Sequence, residues 1–237
     1  RASSPSVHVG QRQNLQIMKS KVQKLSHSIV IALAKGRILE AALPLLKECG
    51  IVPLDNPSET RKLFLETNLE HVNLLVIRAT DVPTFVEYGG ADIGITGKDV
   101  LLEYNGTDYY EPLDLQIARC QLAVAAPADM SLPAGPLVVA TKYPKTARAY
   151  FESKGRQAEI IKLHGSMELA PLVGMSDCIV DLIDTGETLK ANGLFVLETI
   201  CEISSRVIVN KAASKTKRES LLNVVSSIRQ GVRSPDA

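Results

Sequence analysis

Two aspartates, two threonines and a glycine fall within the eight residues Asp181-Leu-Ile-Asp-Thr-Gly-Glu-Thr188. An apolar lead-in, Ile179-Val180, reads as a buried strand, and the residues beyond the turn can form a helix. A strand that runs into a Thr/Gly turn at a helix start offers free backbone N–H groups to an anion, with the positive end of a helix dipole beside them. The hydroxyls of Thr185 and Thr188 add donors. Asp181 and Asp184 would repel a bare phosphate. They make sense if the ligand also carries sugar hydroxyls, or Mg²⁺ on a second phosphate group. A phosphorylated ribose is the simplest such ligand. The same turn also fits a plain helix cap by Asp184 or Thr185, and both readings stay open on this stretch alone. The spacing adds a constraint. Residues three apart on a continuous strand face opposite sides, so for both aspartates to reach one ribose the strand must end near Ile183 and the chain must turn at Asp184.

Cations recur where strands end. Lys35-Gly36-Arg37 follows the apolar run 28–34, Arg78 follows 72–77, and Arg61 lies in the partly alternating stretch 59–66. An arginine there can grip a phosphate bidentately, and a solvated cationic turn is the competing reading. Lys142 and the turn His164-Gly-Ser166, with Glu168 close by, carry the same two readings. Asp92 and Asp99 read as turn or cap residues. No Ser, His and Asp stand at a spacing that points to a covalent nucleophile.

These residues need a scaffold of strand, small turn and helix, and that pattern recurs at 30–38, 74–83, 93–100 and 179–188. Such junctions imply an α/β fold with mixed, mostly parallel sheets and ligands over the strands' C-terminal ends. The spacing predicts further strands at 137–141 and 159–163, helices near 145–154 and 167–172, and a basic amphipathic helix over 215–229. Residues 115–126 read as a long strand with a polar middle that crosses between lobes, and strand-like runs in 195–210 cross back. The expected layout is a two-lobed, periplasmic-binding-protein-like fold with a double crossover. Residues 28–118 plus 203–232 form lobe I, and 119–202 form lobe II. Residues 1–27 hold five lysines and arginines and no acidic residue. They read as a flexible basic extension with a short helix near 15–25, and a transit peptide has the same composition.

Composition narrows the classes. The 237 residues are 45% hydrophobic and 22% charged, with a formal net charge of +1, as in an ordinary soluble globular protein without a nucleic-acid or membrane signature. Aromatics make up 4% with no Trp, which disfavours base-stacking platforms. The four cysteines are widely spaced and read as reduced thiols rather than metal ligands.

Leu33-Ala-Lys-Gly-Arg37, Arg78-Ala-Thr-Asp-Val-Pro83, Gly90-Ala-Asp-Ile-Gly-Ile-Thr-Gly-Lys-Asp99, Ala140-Thr-Lys-Tyr-Pro144, Gly165-Ser-Met-Glu-Leu-Ala-Pro171 and the Asp181 stretch occur in one order. Each motif is weak alone, but the ordered set is specific. Over about residues 28–230 the chain resembles the catalytic subunit of ATP phosphoribosyltransferase, in its short form. The resemblance implies a cytoplasmic enzyme of histidine biosynthesis. Its reaction joins 5-phosphoribosyl-1-diphosphate to N1 of ATP, with Mg²⁺, and releases diphosphate. It implies a homodimer and a histidyl-tRNA-synthetase-like regulatory partner. By residue, it implies phosphoribosyl diphosphate at Lys35, Asp181, Asp184, Thr185, Gly186, Glu187 and Thr188. ATP falls to Lys35, Arg37, Arg78, Gly97, Lys98 and Glu168. Catalysis falls to Arg37, Arg61 and Asp184, with a neighbouring subunit as one source of Arg61. No certain metal ligand is implied. The alternatives are a two-lobed solute-binding protein, or a phosphoribosyltransferase for another nucleobase. The first would carry a secretory signal with an apolar core. The second typically has adjacent acidic residues before its Thr-Gly turn.

Overall fold

The computed structural model describes residues 28–128 and 132–233. The helix expected near 15–25 lies outside them. The chain forms two units. One holds the described residues up to Ile95, Asp108–Pro112 and those from Ile208 onward, and the other holds Thr96–Thr107 and Leu113–Val207. The chain therefore passes between units four times. Residues 96–107, 113–118 and 203–207, expected in lobe I, group with the second unit.

The first unit is built around β1 (Ile29–Ala34), in which every residue is buried. An uninterrupted apolar run suits a central parallel strand covered on both faces. It pairs in parallel with β3 (Val72–Ile77) on one side and β4 (Ile93–Gly97) on the other. With β2 (Phe64–Glu66), β5 (Tyr109–Asp114) and β11 (Ser205–Asn210) the sheet order is β2-β3-β1-β4-β11-β5. Helix α1 (Arg37–Glu48) turns Leu39, Ala42, Leu45 and Leu46 inward and stays continuous through Pro44. It ends at Cys49 and Gly50, where φ of 77° suits a glycine. Helix α2 (Val82–Glu87) packs so closely on β4 that a Cβ at Gly94 would meet Val82, Val86 and Ile208 at 2.7–2.9 Å.

The second unit has the sheet order β10-β6-β9-β7-β8, formed by β6 (Cys120–Pro127), β7 (Leu137–Thr141), β8 (Ala158–Lys162), β9 (Cys178–Ile183) and β10 (Leu194–Ile203). β9 is parallel to β7 and antiparallel to β6. Alternation along the strands gives two apolar clusters. Leu122, Val124, Cys178 and Val180 pack with Tyr143, Ala147 and Phe151. Ala123, Ala125, Ile179 and Ile183 pack with Met167, Ala170 and Leu189. Helix α4 (Pro144–Ser153) supplies Ala147 and Phe151, while α5 (Leu169–Leu172) and α6 (Glu187–Ala191) supply Ala170 and Leu189. Helix α3 (Lys98–Glu103) precedes α4 in the chain, and Glu103 caps α4. Its carboxylate accepts the Lys145 and Thr146 amides at 3.0 and 2.8 Å and the Thr146 hydroxyl at 2.6 Å. The C-terminal helical segment is α7 (Ala213–Thr216) followed by α8 (Arg218–Arg233).

One clasp recurs in both units. Val30 donates its amide to Asp92 Oδ2 at 2.9 Å, and Asp92 returns its own amide to the Val30 carbonyl at 2.9 Å. Val138 and Asp177 repeat this at 2.7 and 2.8 Å. Each aspartate stands just before a strand that runs beside the clasped one, so the pair sets which strands become neighbours. Lys217 Nζ adds a 3.0 Å contact to Asp92.

Two strand expectations change. Of 59–66 only Phe64–Glu66 is strand. Upstream, local bonds to Asn56 and Thr60 hold the chain in turns, a side-chain alternative to the ladder. Residues 115–126 are not one strand. β5 ends at Asp114, β6 begins at Cys120, and Gln116 and Ala118 take φ of 57° and 48° between them. The break takes the first five residues of that stretch, and its middle, Cys120 and Gln121, already lies in β6. β5, with its exposed Pro112, is an edge strand, where a missing N–H costs no ladder bond.

Candidate active site

β9 ends at Ile183, three residues of bend come next, and α6 starts at Glu187. Asp181 is therefore still on the strand and Asp184 is the first residue past it. Both line one cavity of about 160 Å³, together with Glu168, Thr185, Gly186, Glu187 and Thr188. The turn required by the spacing of the aspartates is present. Gly186 has φ of 76°, a left-handed conformation that a side chain would strain. Among the described residues, none accepts a hydrogen bond from the Thr185 or Gly186 amide. The helix after this turn has only five residues, so the amides and hydroxyls of the turn matter more here than a helix dipole. Gly186 holds the N-cap position of α6, and the Thr185 hydroxyl accepts the amide of Glu187, the first residue of that helix, in a long bond of 3.4 Å.

Electrostatics single out Asp181. Burial pushes its carboxyl up to about 6, opposed by the Leu182 amide at 2.8 Å. Nearby Glu168 and Asp99 raise it further, and Lys142 lowers it. Burial also raises Asp99, against the pull of the Val100 amide, the Tyr143 hydroxyl and Lys142. Tyr143 donates its hydroxyl to Asp99 Oδ2 at 3.3 Å. Asp99, Lys142 and Tyr143 are thus electrical neighbours of Asp181. By sequence, Asp99 reads as a turn or cap residue, in a Gly97–Asp99 turn that the family resemblance places near substrate, and Tyr143 carries no role. Their link to Asp181 depends on β7 lying beside β9, which local sequence does not reveal.

Glu168 follows Ser166, a non-glycine residue at φ of 54°. His164 stays exposed in the same turn. Gly97 ends β4 and is buried, while Lys98 opens α3 and is half-buried. The other cations singled out by sequence belong to the first unit, and the structure brings them to one sheet edge. Lys35 follows β1 and donates its amide to the Ile77 carbonyl at 2.8 Å, next to Arg78. Arg37 opens α1 after Gly36, whose φ is 90°. Val76 bonds the Leu63 carbonyl at 2.7 Å, and this antiparallel register carries Arg61 toward the Arg78 end of β3. Lys35, Arg61 and Arg78 are exposed.

The described cysteines are all free thiols. Among the described residues no group of three His, Cys, Asp or Glu could hold a metal ion. No helix of these residues is long and apolar enough to cross a membrane.

A family model for ATP phosphoribosyltransferase matches residues 78–230. The ATP phosphoribosyltransferase of Halorhodospira halophila (strain DSM 244 / SL1) is 56% identical over 212 residues, which is 90% of this chain and 99% of that protein. The chain belongs to the ATP phosphoribosyltransferase family. It is accordingly a transferase of histidine biosynthesis. Among solved structures, it is similar to the "ATP phosphoribosyl transferase (HisG:HisZ) complex" from Thermotoga maritima. The TM-score is 0.74 at 35% identity, covering 86% of this chain and 98% of that one. The periplasmic aliphatic sulphonate binding protein SsuA of Escherichia coli matches at a TM-score of 0.57 and 13% identity, covering 87% of this chain and 72% of that one. That likeness concerns the fold alone. It agrees with the expected two-lobed, periplasmic-binding-protein-like architecture that this ATP phosphoribosyltransferase family member adopts.

Proposed function

We propose that the chain transfers the 5-phosphoribosyl group from 5-phosphoribosyl-1-diphosphate to N1 of ATP, releasing diphosphate. The observation that carries this reading is the single cavity shared by Asp181, Asp184 and the Thr185–Gly186 turn, in a chain of this family. The turn amides and the Thr185 and Thr188 hydroxyls bind the 5-phosphate, and Asp181 and Asp184 accept hydrogen bonds from ribose hydroxyls. With its carboxyl at about 6, Asp181 is mostly ionised at neutral pH and ready to accept them. N1 of adenine displaces diphosphate directly at the anomeric carbon. Charge grows on the leaving group and on an oxocarbenium-like ribose, so positioning and electrostatic stabilisation are the protein's main tasks. Arg37 and Arg61 stabilise that charge, Lys35 contacts diphosphate or ATP, and Arg78, Gly97, Lys98 and Glu168 bind ATP.

Mg²⁺ fits this site as an ion carried by substrate phosphates. No three-residue cluster cages a metal among the described residues, and Mg²⁺ commonly takes only one or two carboxylates from the protein. Asp181 and Asp184 are the residues that would meet it. Bound with diphosphate, the ion neutralises charge on the leaving group.

We further propose a cytoplasmic enzyme that works as a homodimer and joins a histidyl-tRNA-synthetase-like regulatory subunit. Similarity to a member of a HisG:HisZ complex supports the partner. The reaction is tested by mixing the chain with ATP, Mg²⁺ and 5-phosphoribosyl-1-diphosphate, with and without such a partner. A product with altered adenine absorbance is expected. Absence of turnover under both conditions would refute the assignment.

A further inference from the structure

We infer that Thr141 and Tyr143 are positioning residues for the phosphoribosyl site, an inference that rests on the function proposed above. Parallel pairing of β9 with β7 ends where Thr141 stands opposite Val180. Pairing of β9 with β6 continues through Asp181 to Ile183. Asp181 is therefore the first residue of β9 that has lost its β7 neighbour. A strand held on one flank only is free to twist away, and a displaced carboxylate would spoil its contact with a ribose hydroxyl.

Thr141 closes that flank. It is fully buried, its hydroxyl donates to the Val180 carbonyl at 2.6 Å, and it accepts the Tyr143 amide at 2.9 Å. One hydroxyl thus fastens the residue before Asp181 and turns the chain into α4. Tyr143 is only 5% exposed, and its hydroxyl reaches Asp99 Oδ2 at 3.3 Å. Burial and the negative charges of Asp99 and Asp181 hold this phenol far above its usual range, so it remains a donor throughout the working pH. Between the two tied residues, Lys142 is exposed, and its charge acts on both Asp99 and Asp181. Thr141, Lys142 and Tyr143 together form a brace whose ends are bonded inward and whose middle carries the countercharge for the site.

A buried threonine could also serve only to finish a sheet, so the test must separate folding from substrate binding. Thr141→Val keeps the shape and removes the hydroxyl. We expect KM and Kd for 5-phosphoribosyl-1-diphosphate to rise about tenfold, with KM for ATP changed less than about twofold. Thr141→Ser should restore both values. Tyr143→Phe should raise the same Kd about threefold. A lower melting temperature with unchanged Kd in Thr141→Val would make the residue a structural tie and overturn the inference. If Thr141→Val does not fold, Tyr143→Phe decides by the same Kd, and an unchanged value overturns the inference. Wild-type chain that binds the diphosphate without turnover refutes the proposed reaction but leaves the Kd comparison decisive. Wild-type chain that does not bind it overturns both.

Discussion

Asp181 sits on β9 and Asp184 lies one residue beyond its end, yet the two line the same cavity. The break at Ile183 undoes the alternation that would otherwise send them to opposite faces. Asp184 is exposed, and it is the Thr185 hydroxyl that accepts the first amide of α6, at 3.4 Å. Asp184→Ala should therefore change stability by no more than about 1 kcal/mol, the usual worth of an exposed carboxylate's polar contacts. Turnover should fall by about a hundredfold or more if Asp184 meets the reacting ribose. Thermal melting beside initial-rate kinetics checks this. Intact activity with a lowered melting temperature would return Asp184 to a helix-stabilising role.

Asp181 should show the opposite balance. Its folded-state carboxyl lies near 6, above the ordinary aspartate value, because burial penalises the charge. The folded state thus holds the proton more tightly than the unfolded state. Stability from this group is greatest at acid pH and falls as pH rises from about 4 to about 6. At neutral pH the penalty is at most about 3 kcal/mol. Asp181→Asn removes it. Melting should rise relative to wild type at pH 7.5 and converge with it near pH 4, while turnover is largely lost. A variant less stable than wild type at pH 7.5 would contradict this reading of the burial.

Gly186→Ala places a methyl group on a residue at φ of 76°. Space is open, since the nearest atom to a new Cβ is Ile183 Cγ2 at 3.8 Å. The cost is conformational and should be about 1 kcal/mol. A turn that relaxes to a negative φ would also reorient its amides. Affinity for 5-phosphoribosyl-1-diphosphate should fall more than stability does, which calorimetry and melting can compare.

Gly94→Ala makes the complementary test in the first unit. Its new Cβ would collide with Val82, Val86 and Ile208 at 2.7–2.9 Å, so α2 must shift from β4. Overpacking of this kind costs about 1–3 kcal/mol. Denaturant melts should show the loss, and the Kd for the phosphoribosyl substrate measured on folded protein should stay near wild type.

The elements that carry the site are legible where local chemistry dominates. The run Ile29–Ala34 is apolar throughout and forms the central strand. Residues 137–141 coincide with β7, and the turn after Ile183 is implied by the parity of two aspartates. What escapes a sequence reading is set by neighbours distant in the chain. β5 contains Glu111 and Pro112 and is a strand only because β11 lies beside it. The break at residues 115–119 resembles strand because its flanks are apolar. The proximity of Asp99 to Asp181 depends on α3 following β4 into the second unit, which no pattern in either segment announces.

The Glu103 cap has a bearing on substrate choice. Lys145 and Thr146, at the start of α4, offer amides that a phosphate would compete for. Those donors are already engaged by a carboxylate of the same chain. A free anion would have to displace a tethered one, whose effective concentration is far higher than its own. The chain thereby supplies its own anion to one junction and leaves the Thr185–Gly186 turn to the substrate, so the decoy is silenced before any ligand arrives.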